Sequence, residues 1–142
     1  MTGSTGSSTI TDEHALTRLM VEFAAAADDA DSVDAVSALF DTDGVFTVGG
    51  ESYSGRAAIA AYLQGARDAG FAGPDAGTRH LVTNALATVE SENEASGGCE
   101  WMLLRSATAE SPVPTVIASG QYRDRYRRTN GHWSIAARTV RS

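Results

Sequence analysis

From Thr78 to Val89 the chain reads Thr-Arg-His-Leu-Val-Thr-Asn-Ala-Leu-Ala-Thr-Val, a β-branched run with one histidine near its beginning. Side chains alternate faces along a strand, so His80, Val82, Asn84, Leu86 and Thr88 are expected on one face and Arg79, Leu81, Thr83, Ala85 and Ala87 on the other. Neither face is cleanly apolar. A strand that sets an imidazole and a carboxamide among aliphatic neighbours fits a wall that is half core and half cavity, because a buried polar group without a partner is costly. The plainer alternative makes His80 and Asn84 satisfied structural groups or solvated ones.

The residues after this run read as strand to the end. A turn at Ser91-Glu92-Asn93 leads into a second strand, Glu94 to Ser106, and Glu110 to Pro114 interrupts it, since proline cannot serve an inner strand. A third strand covers Thr115 to Arg128, and Asn130-Gly131 before Trp133 is the strongest hairpin signal in the chain. The last strand runs from His132 to Arg141.

Ahead of the strands, helical spacing dominates. Met1 to Thr9 offers nothing to bury and reads as a mobile tail; Thr11 caps a first helix with Asp12 and Glu13 in its first turn and Leu16, Leu19, Met20, Phe23 and Ala27 as its buried stripe. Asp28-Asp29-Ala30-Asp31 closes that helix, where the negative end of the dipole disfavours carboxylates, so at least one acid is expected to have another task. A short helix through Val33, Val36, Leu39 and Phe40 stops at Asp41-Thr42-Asp43-Gly44. A short strand, Val45 to Val48, turns at Gly49-Gly50 into Glu51-Ser52-Tyr53. Ser54 then caps a third helix that ends at Gly70. Helices gathered in front of long antiparallel strands give an α+β domain in which a curved sheet wraps around helices, in the order α-α-β-β-α-β-β-β-β. One domain is expected over residues 10–142, a length that needs no disulfide or structural metal.

Composition narrows the function classes. A net charge of −7 and no lysine argue against nucleic-acid binding and remove Schiff-base chemistry. The one basic cluster, Arg123 to Arg128, is interrupted by Asp124 and reads as the exposed face of a strand. No apolar run reaches membrane-spanning length, and the single cysteine, Cys99, makes a cytoplasmic setting the expectation. His14, His80 and His132 stand too far apart to suggest a metal site.

The element order resembles the nuclear transport factor 2-like cone. The residues sharpen the resemblance to its SnoaL-like branch of polyketide cyclases and scytalone-dehydratase-like proteins. The carrying segments are Asp28-Asp29-Ala30-Asp31 with Val36-Ser37-Ala38-Leu39-Phe40, Ser54-Gly55-Arg56-Ala57-Ala58-Ile59, Arg79-His80-Leu81-Val82-Thr83-Asn84, and Gly120 to Tyr126 with Gly131 to Arg138. The resemblance implies a general base at His80 and an acid partner at Asp28 or Asp29. Helix-one tyrosines of such enzymes are missing from Phe23-Ala24-Ala25-Ala26-Ala27, and a second histidine has no counterpart among Gly120, Gln121 and Tyr122.

Imidazole is suited to proton transfer at neutral pH, and a carboxylate fixes its tautomer and stabilises the imidazolium. Phe23, Phe46, Tyr53, Tyr62, Asn84 and Trp101 are candidates to line the pocket, with Arg138 as a holder of a substrate carboxylate or enolate unless it pairs with an acid such as Asp124. The expectation is a cofactor-independent lyase, isomerase or cyclase acting on a small, mostly apolar carbonyl compound. The alternative is a non-catalytic ligand-binding or assembly module. Either way a homodimer or homotrimer is expected, packed through the sheet face that the helices leave open.

Overall fold

In this computed structural model, which describes the backbone of residues 5–142 and side chains from residue 9 on, helix α1 runs over Thr5–Asp29. Leu16, Leu19, Met20, Phe23 and Ala27 are buried along one stripe, as their spacing predicts. The helix starts well before Thr11, because each further residue on an anchored helix gains a backbone hydrogen bond without a new nucleation cost. The tail expectation for residues 1–4 lies outside the described residues, whereas residues 5–9 are helical.

Helix α2 is a single turn, Asp34–Ser37, and the chain is already extended at Phe40, the first residue of β1 (Phe40–Val48). The predicted turn at Asp41-Thr42-Asp43-Gly44 lies within β1 as an irregularity between Phe40 and Val45. Strand β2 (Glu51–Ser54) folds back on β1, and α3 (Arg56–Asp68) buries Ile59 and Leu63. Four long strands follow: β3 (Thr78–Ser91), β4 (Glu94–Arg105), β5 (Thr115–Thr129) and β6 (His132–Arg141). The β5–β6 turn is made by Asn130 at φ 52° and Gly131 at φ 79°, the positive pair that a tight two-residue hairpin needs.

The six strands form one curved sheet in the order β2-β1-β6-β5-β4-β3. The expected all-antiparallel pairing holds except at the centre, where β1 runs parallel to β6. The helix between β2 and β3 lets the chain leave one edge of the sheet and return at the other. Phe40, Phe46, Ala95, Cys99, Tyr122, Tyr126 and Ile135 from the sheet close on the α1 stripe to form the core. Gly97 is required there: a Cβ at that position would stand 3.2 Å from Met20 Cε and 2.5 Å from the Leu86 carbonyl oxygen.

Strand β3 departs from simple alternation. Its pairing with β4 slips between Thr83 and Leu86, and Asn84 takes a left-handed φ of 54°. His80 and Val82 face inward before this bulge. Beyond it Ala85, Ala87 and Val89 face inward, while Leu86 is 77% exposed. The expectation that Asn84, Leu86 and Thr88 share the face of His80 is therefore corrected: one extra residue reverses the faces, and asparagine tolerates the left-handed conformation that makes the bulge.

Candidate functional site

The two acids at the end of α1 part company. Asp28 is buried and Asp29 is not, since successive helical residues point about 100° apart. Asp28 spends both oxygens on one residue of β3: Oδ2 accepts the backbone N–H of His80 at 2.8 Å and Oδ1 meets its Nδ1 at 2.7 Å. An ionised carboxylate at this distance keeps the imidazole proton on Nδ1, which leaves the Nε2 lone pair free. Asp29 instead pairs with Arg79 at 2.6 Å on the outside, and Arg79 also stands 4.0 Å from Asp28.

The helix end that carries these acids is held by Arg67 of α3. Its Nη2 donates to the carbonyls of Ala26 and Ala27, each at 3.2 Å, and its Nη1 to that of Asp31 at 3.2 Å. A guanidinium thus occupies the carbonyl terminus, where a cation is favoured. The misfit of acids at a helix C-terminus is resolved by this cation and by the β3 donors.

His80 opens onto a cavity of about 280 Å³ between α1, α3 and the sheet, lined by Phe23, Phe46, Tyr62 and Trp101 as expected. Val33, Leu63, Phe71, Leu103, Tyr122 and Val140 complete the apolar wall, and Arg67 lies at its margin. Three expected pocket residues are elsewhere. Tyr53 stacks on Tyr62 with ring centroids 4.7 Å apart and reaches the site only through that ring. Asn84 faces out at the bulge, where it lines a groove on the opposite side of the sheet.

Arg138 is fully buried beneath the cavity wall, because an inward strand position in this sheet demands a partner rather than solvent. Its Nε and Nη2 donate to the two oxygens of Asp124 at 2.8 Å each, and the Tyr126 hydroxyl donates to the same carboxylate. The guanidinium carbon lies 4.4 Å from the Phe23 ring centroid and 4.0 Å from that of Tyr122. The Asp124 pairing is the one realised, so Arg138 is structural.

Tyr122 is the lining residue that sequence reasoning passed over. The signal was the basic cluster itself: with Arg123, Arg125 and Arg127 outward, period-two alternation turns Tyr122, Asp124 and Tyr126 inward, where all three are buried. Among the described residues no cluster of metal-ligating side chains occurs, and no helix is long and apolar enough to cross a membrane.

The model of the SnoaL-like domain matches residues 8–139. The chain belongs to the SnoaL-like family. Among solved SnoaL-like relatives is Rv3472 of Mycobacterium tuberculosis, a protein of unknown function, with 26% identity and a TM-score of 0.75 over 90% of this chain and 74% of that one. A Novosphingobium aromaticivorans protein carrying the name of scytalone dehydratase is 23% identical, with a TM-score of 0.72 over 99% of this chain and 87% of its own. The β subunit of a protein named as an aromatic-ring-hydroxylating dioxygenase, from the same organism, has 17% identity and a TM-score of 0.71 over 92% and 88% of the two chains. These two share the nuclear transport factor 2-like fold with this chain. No curated protein matches it.

Proposed function

We propose that this SnoaL-like chain is a cofactor-independent lyase, isomerase or cyclase that moves protons on a small, mostly apolar carbonyl compound, with His80 as base and Asp28 as its partner. The observation that carries this reading is the 2.7 Å contact between Asp28 Oδ1 and His80 Nδ1 at the wall of an apolar cavity. His80 Nε2 takes a proton from the carbon beside the carbonyl. The released C–H pair forms a C=C bond, and charge moves onto the carbonyl oxygen. The imidazolium, stabilised by Asp28, then returns its proton to a different carbon, which isomerises the substrate, or to a departing hydroxyl, which leaves as water. Asp29, tied to Arg79 outside the cavity, is assigned no proton-transfer role.

The test needs no prior substrate. Small aryl and cyclic ketones in D2O should lose α-protons faster with the protein than without it, read by proton NMR. His80→Ala should slow that exchange about a hundredfold while remaining folded, the scale of a lost general base. Asp28→Asn should slow it as well, and the double variant should be no worse than His80→Ala alone, since the two residues act as one unit. Exchange by folded His80→Ala at the wild-type rate would defeat the reading. A cavity that binds such ketones without exchanging them would instead favour a ligand-binding or assembly module, consistent with the missing helix-one tyrosines and second histidine. The setting we infer is cytoplasmic, in keeping with the free Cys99.

A further inference from the structure

Tyr122 is held in place on three sides. Its partners across the sheet are Cys99 on β4 and Val140 on β6, so Trp101 flanks it from one neighbouring strand and Arg138 from the other. Trp101 stacks on the ring with centroids 5.8 Å apart at 19°, the Arg138 guanidinium carbon stands 4.0 Å from the ring centroid, and Phe23 meets it edge-on at 5.8 Å. A ring packed in this way cannot redirect its hydroxyl. Nothing in the fold engages that hydroxyl, however: among the described residues it takes no hydrogen bond, whereas the Tyr126 hydroxyl two residues further on is given to Asp124. It is not sealed in either. The side-chain polar atoms that are closed off without a partner are Trp101 Nε1 and Arg138 Nη1, so the Tyr122 hydroxyl opens onto the space its residue lines, the cavity of His80.

A fixed donor without a partner, on the wall of an otherwise apolar cavity, is complementary to an oxygen of the bound molecule. We propose that Tyr122 donates a hydrogen bond to the substrate carbonyl oxygen, across the cavity from His80, and stabilises the charge that collects there when the base removes a proton. The inference rests on the acid–base reading of the cavity and supplies the electrophilic half that this reading lacks. Burial pushes the Tyr122 phenol well above its ordinary value, against the pull of the nearby Arg138 cation. The group therefore stays protonated as a donor throughout the neutral range. Asp28 also acts in the raising direction, which places the phenol within electrostatic reach of the His80 partner.

The probe is 4-nitrophenol, whose ionised oxygen imitates an enolate and whose colour reports its protonation. Bound to the wild-type protein it should ionise at a lower pH than in water, since a donor favours the anion, whereas an apolar cavity alone would favour the neutral form. Tyr122→Phe keeps the ring and removes only the hydroxyl. It should weaken nitrophenolate binding about tenfold or more, the scale of a hydrogen bond to a charged group. It should also bring ionisation of the bound dye to or above the free value, with the melting temperature unchanged because the hydroxyl has no partner in the fold. In a His80→Ala background the same loss should appear, which separates the donor from the base. Equal nitrophenolate affinity in Tyr122→Phe overturns the assignment and leaves His80-dependent ketone exchange standing. Wild-type protein that raises the dye's ionisation overturns it without any variant, and so does a Tyr122→Phe that fails to fold. Wild-type protein that binds no nitrophenol overturns both the assignment and the small-molecule cavity.

Discussion

Asp28 and Cys99 are both buried in the same half of the molecule, and their surroundings treat charge in opposite ways. Asp28 keeps two donors, so its carboxylate is at home there. Cys99 is 5% exposed, and burial pushes its thiol up to about 11 from the ordinary 9.0, with Arg138 pulling the other way. A thiol whose folded value is raised contributes stability that is complete below its unfolded value and is lost as pH climbs through the folded one. Stability measured by urea denaturation should therefore fall between about pH 9 and 11, and less steeply in Cys99→Ala. At pH 8 the folded protein should resist iodoacetamide and react only once unfolded, because the thiolate is the nucleophile. Alkylation of folded protein at the rate of a free thiol would contradict both expectations. At this scale His80 and the acids at the end of α1 were legible, because acids at a helix C-terminus need a reason to be there. Which acid faces the base was not, since that depends on where α1 lies against β3. The Asp124 partner of Arg138 was legible as an option; its burial was not, as it follows from the packing of the inner face.

Strand β3 shows what periodicity carries and where it stops. Its bounds and its pairing with β4 follow the β-branched run and the Glu92-Asn93 turn, but alternation says nothing of a residue inserted on one strand alone. Asn84 at φ 54° marks that insertion. Asn84→Gly should leave stability nearly unchanged, whereas Asn84→Val should lower it by about 1–2 kcal/mol, the cost of forcing a β-branched residue into the left-handed region. Comparison of the two variants by chemical denaturation checks this, and equal stability would place the strain elsewhere. The same logic explains α1 and β1. The low helix propensity of residues 5–9 hid the early start of α1, and the turn residues at Asp41 to Gly44 were read as ending a helix, where they instead bow a strand whose frame is set by β6.

Across the whole molecule, the helices cover one face of the sheet and leave Leu81, Leu86, Met102 and Ile117 on the other, each at least 37% exposed. Leu81 and Met102 are cross-strand partners, so the patch is continuous there. A homodimer or homotrimer joined through this face remains our expectation. Light scattering at micromolar concentration should give two or three times the chain mass, and Leu81→Arg should reduce it toward the single chain; wild-type monomer at that concentration would refute the assembly. The element order was legible because helix and strand periods differ along the chain. The parallel β1–β6 pairing was not, since strand adjacency depends on contacts distant in sequence.

One of those distant contacts bears on how the protein comes into being. Near its N-terminal end α1 is tied to the last hairpin: Asp12 Oδ1 accepts from Arg128 at 2.9 Å and from the Trp133 indole at 3.2 Å, across sequence separations of 116 and 121 residues. Its far end, with Asp28, awaits His80, which is 52 residues away. During synthesis the helix is among the first segments to leave the ribosome, yet its docking partners are among the last. A chain with such late closure should spend much of its synthesis time with the α1 stripe uncovered, a surface on which a chaperone rather than the sheet would be the first companion.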